Sequence, residues 1–108
     1  MQAVPIPKSS EGFLQLCRTL VSYSEIQILR GNGNYTQVHL TNGNILLTSK
    51  NVGFYESLLP VALFCRPHKR AIVNRNFIAR QRTGEMLLLD GTRLEVARRR
   101  RKIIKRMN

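Results

Sequence analysis

The chain has 108 residues, 43% of them hydrophobic, with four Phe, three Tyr and no Trp, which suits one small domain (1–108) with one core and is too short for two. Eighteen Lys and Arg against six Asp and Glu leave a net charge of +12, a field that attracts polyanions. No run of eighteen apolar residues occurs, and residues 1–12 have neither a basic lead before an apolar run nor a cleavage pattern, so no membrane span or secretory leader is expected and a cytoplasmic location is.

Short apolar and β-branched runs separated by turn residues predict a mostly β chain. Expected strands fall at 3–7, 13–17, 25–30, 35–40, 44–49, 63–66, 71–74, 77–81, 86–89 and 93–97. Asn42-Gly43 and Asp90-Gly91 have tight-turn chemistry and predict hairpins between 35–40 and 44–49 and between 86–89 and 93–97. One helix is expected at about 51–59, where Val52, Tyr55, Leu58 and Leu59 share a helical face behind an Asn51 cap and ahead of Pro60. The basic segment 98–108 keeps only Ile103, Ile104 and Met107 apolar, which fits either a short docked C-terminal helix or a frayed tail.

The charge is unevenly placed. Residues 66–108 hold fourteen Lys and Arg against Glu85, Asp90 and Glu95, a net of +11, whereas residues 1–65 carry a net of +1. Most of these cations are arginines, whose planar fork matches phosphate oxygens and guanine edges, so nucleic acid is the expected partner. Four stretches stand out within this pattern. Gly31-Asn32-Gly33-Asn34 reads either as a plain turn or as a loop whose backbone approaches phosphate; it lacks the third glycine and following helix of a dinucleotide fingerprint. Arg66-Pro67-His68-Lys69-Arg70 reads as a solvated charge run or a phosphate-binding loop ahead of a buried strand. Arg98–Lys102 is a run of five cations that cannot all share one helix face.

The fourth stretch, Cys65, His68 and Asn74, has the residue types of a thiol-enzyme triad crowded into ten positions. Nothing there marks an activated thiol, so no catalytic residue is expected. Cys17 and Cys65 have no ligand spacing and are expected to be thiols; neither a metal nor a cofactor is expected.

In order and spacing these stretches resemble the LytTR-type DNA-binding domain, the output domain of AgrA-like bacterial response regulators. The resemblance covers nearly the whole chain. It runs through Ile6-Pro7, Ser10-Glu11-Gly12-Phe13, Gly33-Asn34-Tyr35-Thr36, Val38-His39-Leu40, Thr48-Ser49-Lys50 and Tyr55-Glu56-Ser57-Leu58-Leu59-Pro60. Its most specific block is Phe64, Arg66, His68-Lys69, Ile72-Val73-Asn74 and Ile78, followed by Asp90-Gly91 and Leu94-Glu95-Val96-Ala97-Arg98-Arg99. The sequence departs from the family pattern at Arg70 and Ala97, where serines are usual, and at Pro67, where a small or β-branched residue is usual.

The resemblance implies an elongated ten-stranded fold of small antiparallel sheets that binds double-stranded DNA for transcription regulation, reading successive major grooves with loops and strand ends. Carried over by position, base contacts fall on Asn34, Lys69 and Arg98, and phosphate contacts on Asn32, Gly33, His68, Arg70, Arg99 and Lys102. Asn74 is expected to hold the second loop to its sheet. The family further implies dimers on direct repeats and control by a receiver domain or a separate regulatory protein. An alternative from composition alone is a small basic β protein that binds structured RNA, which should display aromatic side chains on a sheet face for stacking bases.

Overall fold

The computed structural model describes residues 12–16 and 18–101. The expected strand at 3–7, Cys17, Lys102 and the apolar stripe Ile103, Ile104 and Met107 lie outside the described residues. Among the described residues, ten strands form three antiparallel sheets. β1 (Phe13–Leu16) and β2 (Thr19–Ser22) pair as a hairpin, and a 3-10 turn over Tyr23–Glu25 leads into β3 (Ile26–Asn32). β3, β4 (Tyr35–Leu40), β5 (Ile45–Thr48), β6 (Phe64–His68) and β7 (Ala71–Asn74) make a five-stranded sheet in the order β5-β4-β3-β7-β6. β8 (Ile78–Arg82), β9 (Glu85–Leu88) and β10 (Arg93–Glu95) form a third sheet in the order β10-β9-β8.

Both hairpins predicted from turn chemistry are present. β4 pairs with β5 and β9 with β10, and Gly43 and Gly91 adopt φ of 92° and 93°, the left-handed region that glycine enters without steric cost. In each turn the residue before glycine caps it: Asn42 Oδ1 accepts from the Asn44 N–H at 2.9 Å and Asp90 Oδ1 from the Thr92 N–H at 2.9 Å. These side chains mimic the missing backbone partner of the turn.

Strand alternation sends the apolar residues of the five-stranded sheet to both faces. Leu29, Val38 and Ile72 point to one side, where they pack with Leu14, Leu16 and Val21 of the first hairpin and with Val52 and Tyr55 of the helix α1 (Val52–Glu56). Ile28, Ala71 and Val73 point to the other, against Met86, Leu88, Leu94 and Val96 from the β8–β10 sheet and its continuation. β7 lies between two neighbours and two layers, so all four of its residues are buried. The result is a three-layered slab of 40 × 37 × 25 Å.

Three expectations shift in detail. β2 was not expected, and it brings the described strands to ten, with 3–7 outside the described residues. α1 is shorter than 51–59: Asn51 caps it as anticipated, accepting from the Phe54 N–H at 2.9 Å, but regular helix ends at Glu56. Leu58 and Leu59 then share the Tyr55 carbonyl in a turn that buries Leu59 ahead of Pro60. Finally, β6 runs on to His68 through Pro67, which occupies an irregularity in the β6–β7 register where a missing N–H costs no ladder bond. Residues 98–101 are helical, in line with an ordered start to the basic segment.

Candidate nucleic-acid interface

Strand order brings the three cationic or glycine-rich segments to one end of the slab. β3 and β7 are antiparallel neighbours with Arg30 opposite Ala71, so the β3–β4 turn at Gly33-Asn34 and the β6–β7 turn at Lys69-Arg70 emerge side by side. A backbone hydrogen bond from the Gly31 N–H to the Arg70 carbonyl, 2.8 Å, joins their stems. The Ala97 N–H donates to the Pro67 carbonyl at 2.7 Å, which sets the end of the β10 segment, and with it Arg98, beside the second turn.

Two open depressions mark these junctions. One is lined by Gly31, Gly33, Asn51, Arg66, Lys69 and Arg70 among others, the other by His68, Lys69, Arg70, Ala97, Arg99 and Arg100 together with the acidic Glu95, and the second has a volume of about 600 Å³. Lys69 and Arg70 belong to both. The second turn therefore lies between the first turn and the post-β10 segment. Asn32, Gly33, Asn34, Lys69, Arg70, Arg98 and Arg99 are all exposed. Of the nine residues singled out from the sequence, eight fall within the described residues and lie at this end; Lys102 lies outside them.

His68 is half-buried, and its Nδ1 accepts the Arg70 N–H at 3.1 Å, which leaves the ring proton of the neutral imidazole on Nε2. Burial holds its pKa below the ordinary value of 6.5. Glu95 opposes the shift, while Arg30, Arg70 and Arg66 reinforce it. A neutral ring with an Nε2–H suits donation to an anionic oxygen. Burial pushes the Cys65 thiol up, with Arg75 opposing, which is the reverse of an activated nucleophile. Asn74 is fully committed: its Nδ2 donates to the carbonyls of Ile26 at 2.9 Å and Tyr23 at 3.3 Å, and its Oδ1 accepts from the Asn76 N–H at 2.9 Å. No thiol-enzyme arrangement exists among these three.

The arginines of the basic half divide by partner, which the sequence did not reveal. Arg66 donates to Glu56 Oε1 at 2.6 Å and to the Lys69 carbonyl at 2.6 Å. Arg100 donates to Glu56 Oε2 at 3.0 Å, and Arg101 Nε to the Val96 carbonyl at 3.0 Å. Burial would raise the Glu56 carboxyl, but the hydrogen bonds and charges of Arg66 and Arg100 outweigh it and hold it below the ordinary carboxylate range. Lys50 and Asn51, read from the sequence only as part of the family match and as a helix cap, also lie near the first turn. They reach this end because β5 runs antiparallel to β4, and they are fixed there by the Thr36 hydroxyl, which donates to the Lys50 carbonyl at 2.6 Å. The Thr48-Ser49-Lys50 match was the available signal.

The sequence model of the LytTr DNA-binding domain family matches residues 17–108. The chain belongs to that family. Among solved structures it is similar to the LytTr DNA-binding domain of a Bacillus cereus protein described as a methyl-accepting/DNA response regulator. The two share 21% identity over 91% of this chain and 95% of that one, with a TM-score of 0.72, a likeness of fold. No curated protein matches the chain. This LytTr domain is thus a DNA-binding domain of transcription regulation, and the mostly β, small-sheet architecture read from the sequence is that of its family.

The RNA alternative finds no support. Tyr23 and Phe64 meet edge to face at 6.0 Å, and Phe64 is buried, as is Tyr55, which packs against Phe54 at 5.2 Å. Among the described residues, Tyr35 is the exposed tyrosine, without a second ring beside it in an aromatic pair. No helix of the described residues is long and apolar enough to cross a membrane.

Proposed function

We propose that this LytTr domain, spanning residues 1–108, reads duplex DNA sequence-specifically through the end of the slab where its three segments meet. Asn34 contacts an adenine edge, Lys69 a guanine or thymine acceptor, and Arg98 a guanine through its bidentate fork, all from major grooves. Asn32, Gly33, His68, Arg70, Arg99 and Lys102 contact phosphates and fix register. The observation that carries this reading is that Lys69 and Arg70 line both depressions, so the three segments adjoin along one edge.

In this reading the domain works in the cytoplasm without a cofactor or catalytic step. Two copies occupy direct repeats, under the control of a receiver domain or a separate regulatory protein. With about six to eight phosphates neutralised, log K should fall with log salt at a slope of about −5 to −7. Selection from a random duplex library at about 150 mM salt tests the reading. Enrichment of a defined site that is lost with Arg98→Ala is the expected result; flat recovery would overturn sequence-specific reading.

A further inference from the structure

Glu56 is one of only six acidic residues in a chain with eighteen cations, and its two arginine partners line the depressions of the proposed DNA-binding edge. A carboxylate so close to a polyanion weakens attraction unless it does something else. Its two oxygens hold two different elements: Oε1 takes Arg66 of β6 and Oε2 takes Arg100 of the post-β10 helical turn. Arg66 then reaches on with its second amine to the Lys69 carbonyl, and the same Arg100 amine lies 3.4 Å from the Arg66 carbonyl. Arg66 Nε is buried with no hydrogen-bond partner, so its guanidinium is held by its two terminal amines. Glu56 is itself the last residue of α1, whose first residue, Val52, abuts Gly31 beneath the first turn.

Partly exposed ion pairs of this kind contribute little to stability. What the arrangement does do is fix distance: one carboxylate links α1, the Lys69 turn and the Arg98 segment. It also occupies the guanidinium of Arg100, which lines the second depression and is the more exposed of the two; Arg66 is mostly buried and stays bonded to the Lys69 carbonyl.

We propose that Glu56 is a specificity-determining positioning residue of this interface, clamping Arg66 and Arg100 so that Lys69 and Arg98 are presented at a set separation while Arg100 is withheld from non-specific phosphate contact. The proposal rests on the sequence-specific reading above. Its signature is a fall in the cognate-to-scrambled ratio, which neither a merely stabilising ion pair nor the simple removal of a negative charge would produce.

The test compares the wild-type chain with Glu56→Gln and Arg100→Gln on a selected duplex and a scrambled one, across a salt series. For Glu56→Gln, affinity for the scrambled duplex rises, its salt slope steepens by about one unit for the released Arg100, and the cognate-to-scrambled ratio falls about tenfold. For Arg100→Gln the ratio also falls, but scrambled binding does not rise, since a cation has been removed. Glu56→Asp, too short to span both arginines, behaves like Glu56→Gln in its loss of discrimination. If Glu56→Gln changes both duplexes by the same factor, or leaves the scrambled salt slope unchanged, the positioning role is wrong even though the wild type discriminates. If the wild type itself does not discriminate, the sequence-specific reading falls and this proposal falls with it.

Discussion

Asn74 tests whether the asparagine of the Ile72-Val73-Asn74 block serves the fold or the DNA. It is fully buried and makes three hydrogen bonds, two donated to the carbonyls of Tyr23 and Ile26 and one accepted from the Asn76 N–H. Replacing Asn74 with Ala removes all three and leaves the partner groups without their side-chain bond, the Ile26 carbonyl in a region closed to water. At about 1 kcal/mol per net bond, with more where a buried group is left unsatisfied, the expected loss is about 2–4 kcal/mol. That is a large share of the roughly 5–15 kcal/mol available to a small domain, and corresponds to a fall in Tm of about 10–25 °C. Asn74→Asp keeps the acceptor for Asn76 but aims a carboxylate at two carbonyl oxygens, so it should cost at least as much as Asn74→Ala. Urea unfolding gives the stability. DNA affinity, measured well below each variant's transition, should stay within about twofold of wild type, since no lost group faces solvent. A stability loss under about 1 kcal/mol together with weakened DNA binding would refute the structural assignment.

Arg98→Ala should cost about 1–3 kcal/mol on a selected duplex and relax preference at one base pair, whereas Arg99→Ala should weaken selected and scrambled duplexes alike; paired binding isotherms distinguish the two. For His68, burial and neighbouring arginines depress the folded pKa below 6.5, so the neutral ring contributes stability that is present above pH 6.5 and is lost as pH falls through the lower folded value. His39 shifts in the same direction, from burial and then Arg30, with Asp90 opposing. The urea midpoint should therefore fall on acidification below pH 6.5, and fall less in His68→Gln. Gly31→Ala would place a Cβ 2.6 Å from Val52 Cγ2, forcing α1 away from the first turn at a cost of about 1–3 kcal/mol. Thermal unfolding of Gly31→Ala beside Gly31→Ala/Val52→Ala should show part of that cost recovered.

Much of the fold was legible because its turns have local causes. Asn42-Gly43 and Asp90-Gly91 specify their hairpins through a glycine φ and an Asx cap that need no distant partner. β2 was not legible for the opposite reason. Of Thr19–Ser22 only Val21 is buried and Leu20 faces solvent, so the strand is defined by pairing with β1 and not by an alternating pattern. The length of α1 depended on tertiary context too. Leu58 and Leu59 continue the helical spacing, yet only Leu59 reaches the core, and a turn buries it as well as another helical residue would.

The site was legible in its positions and not in its division of labour. Counting charge treats Arg98, Arg99, Arg100 and Arg101 as equal, but a guanidinium already bonded to Glu56 or to the Val96 carbonyl differs from one pointing into water. That difference depends on contacts such as Glu56 to Arg100, between residues 44 apart in sequence, which no local pattern encodes. The same principle explains why departures from the family pattern at Pro67 and Ala97 leave the edge assembled. The bond that joins these residues runs from the Ala97 N–H to the Pro67 carbonyl. Proline lacks only the donor, and alanine lacks only a hydroxyl, so neither substitution removes a group that the junction uses.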